Sequence, residues 1–310
     1  MRIVFIGTVD FSYFCLAEVI KNGGNVVGVF NQKHEHARFN SDWTDLEPLA
    51  AAAGIPLHRF TKIKDPATIT QVRTLRPDVI FAWGLSQLIP EELLSIPQQG
   101  CIGVHPALLP RNRGRHPIIW ALVEGLTESG LTFFYMDEGA DSGDILWQRP
   151  FAITLDDDAG TLYAKLKLLA AEAIAEFLPQ LRNGTALRIP QDHSKATYWR
   201  KRGEIDGIVL WNASSMHVHN LVRALTHPYP GAHTLLNGRK VTIWRSRLVD
   251  AMPPEFVPEL PGSILGLSSQ SMLVRSGDGF LEITEWETED GLTLRPGVRF
   301  DAGPQALTGV

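Results

Sequence analysis

Two stretches hold most of the side chains able to do acid–base chemistry. His105 stands in Gly103-Val-His-Pro-Ala-Leu-Leu-Pro-Arg-Asn-Arg-Gly-Arg-His116, and Asp141 stands in the later run Met136-Asp-Glu-Gly-Ala-Asp-Ser-Gly143. A carboxylate beside an imidazole raises its basicity and fixes its tautomer, so the ring can polarise or deprotonate a reacting group. A histidine at a strand end can equally be structural, and the pair alone does not define an enzyme. Arg111, Arg113, Arg115 and His116 make a basic edge suited to phosphates or carboxylates, or simply a solvated loop. Gly7 and Thr8 open a strand-to-helix turn whose amides could face an anion or substrate, or be an ordinary tight turn. This turn lacks the three glycines of a dinucleotide site, and no acidic residue closes the second strand, which argues against a nicotinamide dehydrogenase. His34, Glu35 and His36 have no second ligand pair near them, so no metal is expected. The segment Asn40-Ser-Asp-Trp43 offers instead an aromatic face for a base or sugar.

Positioning these groups falls to an α/β arrangement. Residues 1–184 alternate β-branched runs with helical patterns, the mark of a mostly parallel, Rossmann-like sheet with crossover helices. Strands are expected at 2–6, 25–30, 78–83, 100–104 and 131–136, and helices at 11–21, 45–53, 66–75, 116–124 and 161–181. Ligands in such sheets sit at the carboxyl ends of strands. One strand delivers His105 there and the next delivers the acidic loop, so the two can meet in one crevice. Residues 185–205 lack an apolar period and read as a linker. From 206 to 310 come a short helix at 214–225 and strands at 208–211, 234–236, 240–245, 263–267, 272–275 and 280–285, which suggest a small β-rich, OB-like barrel. The proline-rich stretch 252–261 reads as a loop.

The 310 residues suit two domains. With 29 basic against 34 acidic residues the net charge is −5, which makes a nucleic acid a less natural partner. Cys15 and Cys101 form neither a disulfide framework nor a metal site and read as buried thiols. With no signal-like or membrane-spanning run, the expected location is cytoplasmic and no membrane partner is expected.

The string from His105 onward resembles the 10-formyltetrahydrofolate-dependent formyltransferases, whose signature is Asn-x-His-x-x-Leu-Leu-Pro-x-x-Arg-Gly followed by an Asp-x-Gly loop. His105, Leu108, Leu109, Pro110, Arg113, Gly114, Asp141 and Gly143 match it. The likeness extends over almost the whole chain. Residues 198–211, His219-Asn-Leu-Val-Arg-Ala224 and Pro228-Tyr-Pro-Gly-Ala232 are similar to the second subdomain of enzymes that formylate an amino sugar on a nucleotide. The resemblance implies the formyltransferase topology, and 10-formyltetrahydrofolate as cosubstrate. It implies a folate site made by Trp83, Leu85, Ser86, Gln87, Leu88 and Ile89 with Gly139, Ala140 and Asp141 as the other wall; core packing is the alternative for Trp83 and Leu88. His105 would stabilise the oxyanion and Asp141 would assist proton transfer. The family's catalytic asparagine is replaced by Gly103, which takes away one oxyanion donor and leaves space beside the strand for a water or a bulkier acceptor.

The leading expectation is therefore formyl transfer to a primary amine, most naturally that of a nucleotide-linked amino sugar for surface polysaccharide synthesis. The alternatives are methionyl-tRNA formylation, formylation of a hydroxylated amino acid for a siderophore, and a ligand-binding relative made inactive by Gly103. Against tRNA stand the net charge and the loop 32–44, where tRNA-acting relatives carry a longer basic insertion. The basic run Arg200, Lys201 and Arg202 is too short to offset them. A homodimer is compatible with the sequence.

Overall fold

The computed structural model describes residues 1–36, 41–249 and 259–301. Asn40, residues 252–258 of the proline-rich stretch, and the last nine residues lie outside that set. The chain packs as two compact units. The first holds Met1–Pro117, Glu128–Ile153 and Tyr163–Arg200; the second holds Ile118–Thr127, Thr154–Leu162 and the chain from Lys201 onward. Two short pieces of the region 1–184 thus pack with the later residues.

The first unit begins β1 (Arg2–Gly7), α1 (Asp10–Lys21), β2 (Asn25–Gln32), α2 (Glu47–Ala52), β3 (Leu57–Phe60), α3 (Pro66–Thr74), β4 (Val79–Trp83), α4 (Glu91–Leu94) and β5 (Cys101–His105). After the two-residue β6 (Arg113–Gly114), α5 (Pro117–Val123) packs from Ile118 onward with the second unit. The first unit resumes with β7 (Glu128–Tyr135), β8 (Ile145–Ala152), α6 (Ala159–Asn183), whose residues up to Leu162 also pack with the second unit, and the two-residue β9 (Tyr198–Trp199). Seven strands form one sheet in the order β3-β2-β1-β4-β5-β7-β8. The first five run parallel, whereas β7 is antiparallel to both β5 and β8. Alternation along β1 sends Val4 and Ile6 into a cluster with Phe30, Phe60, Ile80 and Leu93. The opposite face holds an aromatic cluster in which Trp83 stacks on Phe81 with centroids 4.5 Å apart and meets Phe133 edge-on at 5.1 Å. Phe177 of α6 lies 5.0 Å from Phe133. Leu162, Leu166, Ile174, Phe177 and Leu181, all buried, form the apolar face of α6.

Within the seven-stranded sheet, β3 and β8 are the strands that the sequence reading passes over. β3 is four residues long and carries His58 and Arg59, and β8 contains Pro150 on the sheet edge, so neither shows a clean apolar run.

The second unit contains α7 (Ser215–Leu225) and β10 (Ala232–Leu236), β11 (Arg239–Leu248), β12 (Ile264–Leu267), β13 (Met272–Arg275) and β14 (Phe280–Thr288). They form an antiparallel sheet in the order β10-β11-β14-β13-β12. Residues 297–301 join its two edges: Ile264 N donates to Val298 O at 2.9 Å on one side, and Asp301 N donates to Leu235 O at 2.8 Å on the other. Trp211 stacks on Phe300 inside, centroids 5.3 Å apart. Bridging both edges gives the small sheet its barrel-like character. No helix among the described residues is long and apolar enough to cross a membrane.

Candidate active site

β1 and β4 are neighbours although two strands intervene in sequence, so the strand order reverses between them and a crevice opens at their carboxyl ends. Ser12 staples that point: its hydroxyl donates to Trp83 O at 2.6 Å and accepts from the amides of Thr8 and Val9 at 3.2 Å each. A Cβ on Gly7 would lie 2.4 Å from Ser12 Cβ, which explains the glycine. Thr8 is wholly buried and its hydroxyl donates to Gly84 O. Asp10 N donates to Asp42 O at 3.0 Å. The turn amides of residues 8–10 are thus engaged within the protein.

The next strand along, β5, ends in His105, which is buried. Its Nε2 lies 2.7 Å from Asn112 O. A carbonyl only accepts, so Nε2 carries the hydrogen, and in the neutral ring Nδ1 is the basic nitrogen. Nδ1 faces Asp141 Oδ2 at 3.6 Å. The same oxygen accepts a 2.8 Å bond from Gly114 N. Asp141 is the more open member, its side chain 21% exposed against 5% for His105. Its backbone is left-handed, with φ +54°, a conformation aspartate tolerates better than most residues. Nδ1 can accept the proton that an attacking amine releases, and the imidazolium so formed is stabilised by the facing carboxylate.

Both glycines of the signature have steric reasons. A Cβ on Gly114, whose φ is +109°, would lie 2.2 Å from Trp199 O. One on Gly143 would lie 1.8 Å from Tyr135 O. β6 pairs with β9 there, and Arg113 N and Arg115 N donate to Thr197 O and Trp199 O at 2.9 and 3.2 Å.

Gly103 does not leave a gap. Its partner across the β5/β7 ladder is Phe134, and a Cβ on Gly103 would lie 2.9 Å from Phe134 Cζ and 3.0 Å from Met136 Cγ. The space expected for a water or a bulkier acceptor is filled by these two side chains, which cluster with Leu109 and Ile145.

Trp83 has its indole wholly in the aromatic core; the part of it that reaches the crevice is the carbonyl bonded to Ser12. Leu85 and Ile89 pack into the cluster around Val4 and Ile6. Gln87 anchors the loop, accepting from Ile63 N at 2.8 Å and donating to Thr61 O at 3.1 Å. Ser86 is exposed, and Leu88 projects with 82% exposure, so it is not a core residue. Gly139 and Ala140 are exposed on the facing loop, where Asp137 Oδ1 accepts from Gly139 N at 3.0 Å and from Ser142 Oγ at 2.7 Å. A shallow cavity of about 480 Å³ lies against Glu91, Leu94, Met136, Asp137 and Gly139.

The basic edge divides. Arg113 is buried, with its guanidinium donating to Tyr198 Oη at 2.9 Å and Gln191 Oε1 at 2.7 Å. Arg115 donates to Ser86 O at 2.9 Å, tying the two loops together. His116 is left-handed at φ +57° and is engaged in an interaction within the protein. Arg111 is exposed and alone of the three arginines has no side-chain partner among the described residues. Two residues the sequence reading passes over also reach the site. Asn112 presents its carbonyl to His105, and Gln191 donates to Asp141 O at 2.9 Å and to Gly143 O at 2.6 Å. A main-chain contact carries no side-chain signal, and Gln191 sits in a stretch without periodicity.

Two family models match the chain, one described as formyl transferase over residues 1–178 and one as formyl transferase, C-terminal domain, over residues 203–297. A methionyl-tRNA formyltransferase of Geobacter metallireducens is 34% identical over 312 residues, covering 96% of this chain and 98% of that protein. The N-formyltransferase from Helicobacter canadensis, solved with folinic acid and dTDP-3-aminofucose, superposes with a TM-score of 0.69 at 18% identity, covering 93% of this chain and all of that one. HypX from Aquifex aeolicus, in complex with tetrahydrofolic acid, superposes with a TM-score of 0.69 at 19% identity over 94% of this chain and 44% of that one. These two likenesses speak for the fold.

Proposed function

Because this chain belongs to the formyl transferase family, we propose that it moves a formyl group from 10-formyltetrahydrofolate to a primary amine, and that the amine belongs to a nucleotide-linked amino sugar. The observation that carries the chemistry is the His105–Asp141 pair at the carboxyl end of β5. The folate, when bound, supplies the activated formyl group. The residues present fit it: the anchored loop 84–89 offers the exposed Leu88 to a ring face, and the carboxylates of Glu91 and Asp137 beside the cavity can accept from the N–H groups of a pterin.

The chain's own residues divide the remaining work. Asp141, the more open member, meets the incoming amine and draws its proton toward Nδ1 of His105. Asn112 O keeps the hydrogen on Nε2, so Nδ1 is the nitrogen that accepts. Once protonated, Nδ1–H can donate to the formyl oxygen as negative charge builds there, a task for which Gly103 supplies no side chain, and can then give its proton to the folate nitrogen as that nitrogen's bond to the formyl carbon breaks.

The sugar reading is supported by the net charge of −5 and by the exposed Arg111, whose side chain has no partner among the described residues. Within the basic run 200–202, Arg202 stacks on the Trp120 ring at 4.6 Å and all three residues have interaction partners, which weakens the run as a phosphate-tracking stripe. Methionyl-tRNA is the second reading, favoured by the 34% identity to a methionyl-tRNA formyltransferase across nearly the full length of both chains. A formyl-transfer assay with nucleotide-linked amino sugars and charged initiator tRNA side by side, followed by release of tetrahydrofolate, separates them. Turnover on tRNA alone would overturn the sugar reading, and turnover on neither would overturn both.

A further inference from the structure

Gln191 lies between α6 and β9, buried, and its primary amide is used at both ends. Both carbonyls it donates to, those of Asp141 and Gly143, belong to the acidic loop, and the acceptor oxygen takes the guanidinium of the buried Arg113. One side chain therefore ties the loop that carries Asp141 to the segment that carries Asn112 and Gly114. Those two residues hold the other half of the pair: Asn112 O fixes His105, and Gly114 N fixes the Asp141 carboxylate.

We propose that Gln191 is a positioning residue, holding the main chain of residues 141–143 in the conformation that keeps the Asp141 carboxylate against His105. The chemistry requires an amide at this position. Its two N–H groups match two carbonyls, and its one oxygen matches a cation. Asp141 is left-handed, so its loop needs an external restraint to stay in a sparsely populated conformation. A carboxylate in place of the amide would keep the pairing with Arg113 but turn an oxygen toward two carbonyl oxygens, releasing the loop without stranding the guanidinium.

The inference rests on the reading that Asp141 acts on His105, and its test is independent of turnover. In Gln191→Glu the ¹⁵N chemical shifts of the His105 ring should move as they do in Asp141→Asn. The double variant should then add nothing further, because both changes break one contact. Turnover, where present, should fall about a hundredfold in kcat, the cost of an ångström-scale misplacement, with KM for the formyl donor little changed. Wild-type His105 shifts in Gln191→Glu, or shifts that sum in the double variant, would overturn the proposal. Absence of formyl transfer in the wild type would strike the functional reading while leaving this one standing. Should Gln191→Glu not fold, Gln191→Met, which keeps the volume and also lacks the donors, is read by the same shifts.

Discussion

Replacing His105 by alanine removes the ring that Asn112 O holds by its Nε2 hydrogen, and Asp141→Asn removes the charge that faces Nδ1. Each variant should lose most formyl transfer while keeping a wild-type circular dichroism spectrum, and near-normal turnover in either soluble variant would refute the assignment. At Gly103, the crowding by Phe134 and Met136 sets the expectation for Gly103→Asn. An added amide has to displace both side chains, so stability should fall by about 1 to 3 kcal/mol and activity should fall with it. A large gain in turnover by Gly103→Asn would instead mean that the glycine is damage awaiting repair. His105, Asp141, Arg113 and the two signature glycines were legible at this scale because their types and order form a pattern. Phe134 was not, since its role depends on which residue lies across the ladder, and that register is a product of folding.

Among the elements, the short β6/β9 pairing bears most directly on the site. Gly114→Ala puts a methyl group into Trp199 O at a backbone angle hostile to side chains, and Gly143→Ala puts one into Tyr135 O by steric overlap alone. Both should lower the thermal midpoint and abolish turnover, and an active, equally stable variant at either position would show that the backbone adjusts. The alternating and helical periods announced β1, β2, β4, β5, β7 and α6 because those elements bury continuous apolar faces. β6 and β9 are two residues each, far too short for a period, and their pairing joins segments far apart in the chain. The expected connector at 185–205 therefore contains residues that build the site. A lack of apolar rhythm marks irregular backbone, which is where polar side chains such as Gln191 do their bonding.

For the molecule as a whole, the buried His233 and the half-buried His58 and His219 contribute to the pH response. Burial lowers the pKa of His58; it does the same for His219, with Arg223 adding to it, and for His233, with Lys240 adding to it. Unfolded, each takes up its proton near the usual value of about 6.5, so below that pH the unfolded state binds more protons than the native one. Stability is then complete above about pH 6.5 and is lost as the pH falls toward the depressed native values. Asp42, raised chiefly by burial, works in the opposite sense in the more acidic range just above the ordinary carboxylate value. The urea midpoint should drop between about pH 7 and pH 5.5, with His219→Gln flattening part of the drop; a level or rising midpoint would contradict this. Burial also pushes the Cys101 thiol up to about 12 and the Cys15 thiol well above its ordinary value. Neither should react with iodoacetamide in the native protein at pH 8, and both should react after unfolding.

The bond from Asn112 N to Thr197 Oγ1 spans 85 residues. On the ribosome, then, a nascent chain displays His105 and Asp141 long before the strand that clasps them has been synthesised. A polypeptide released at residue 184 would carry both reacting side chains yet none of Gln191, Thr197 or Tyr198, and would be born without the means to align them.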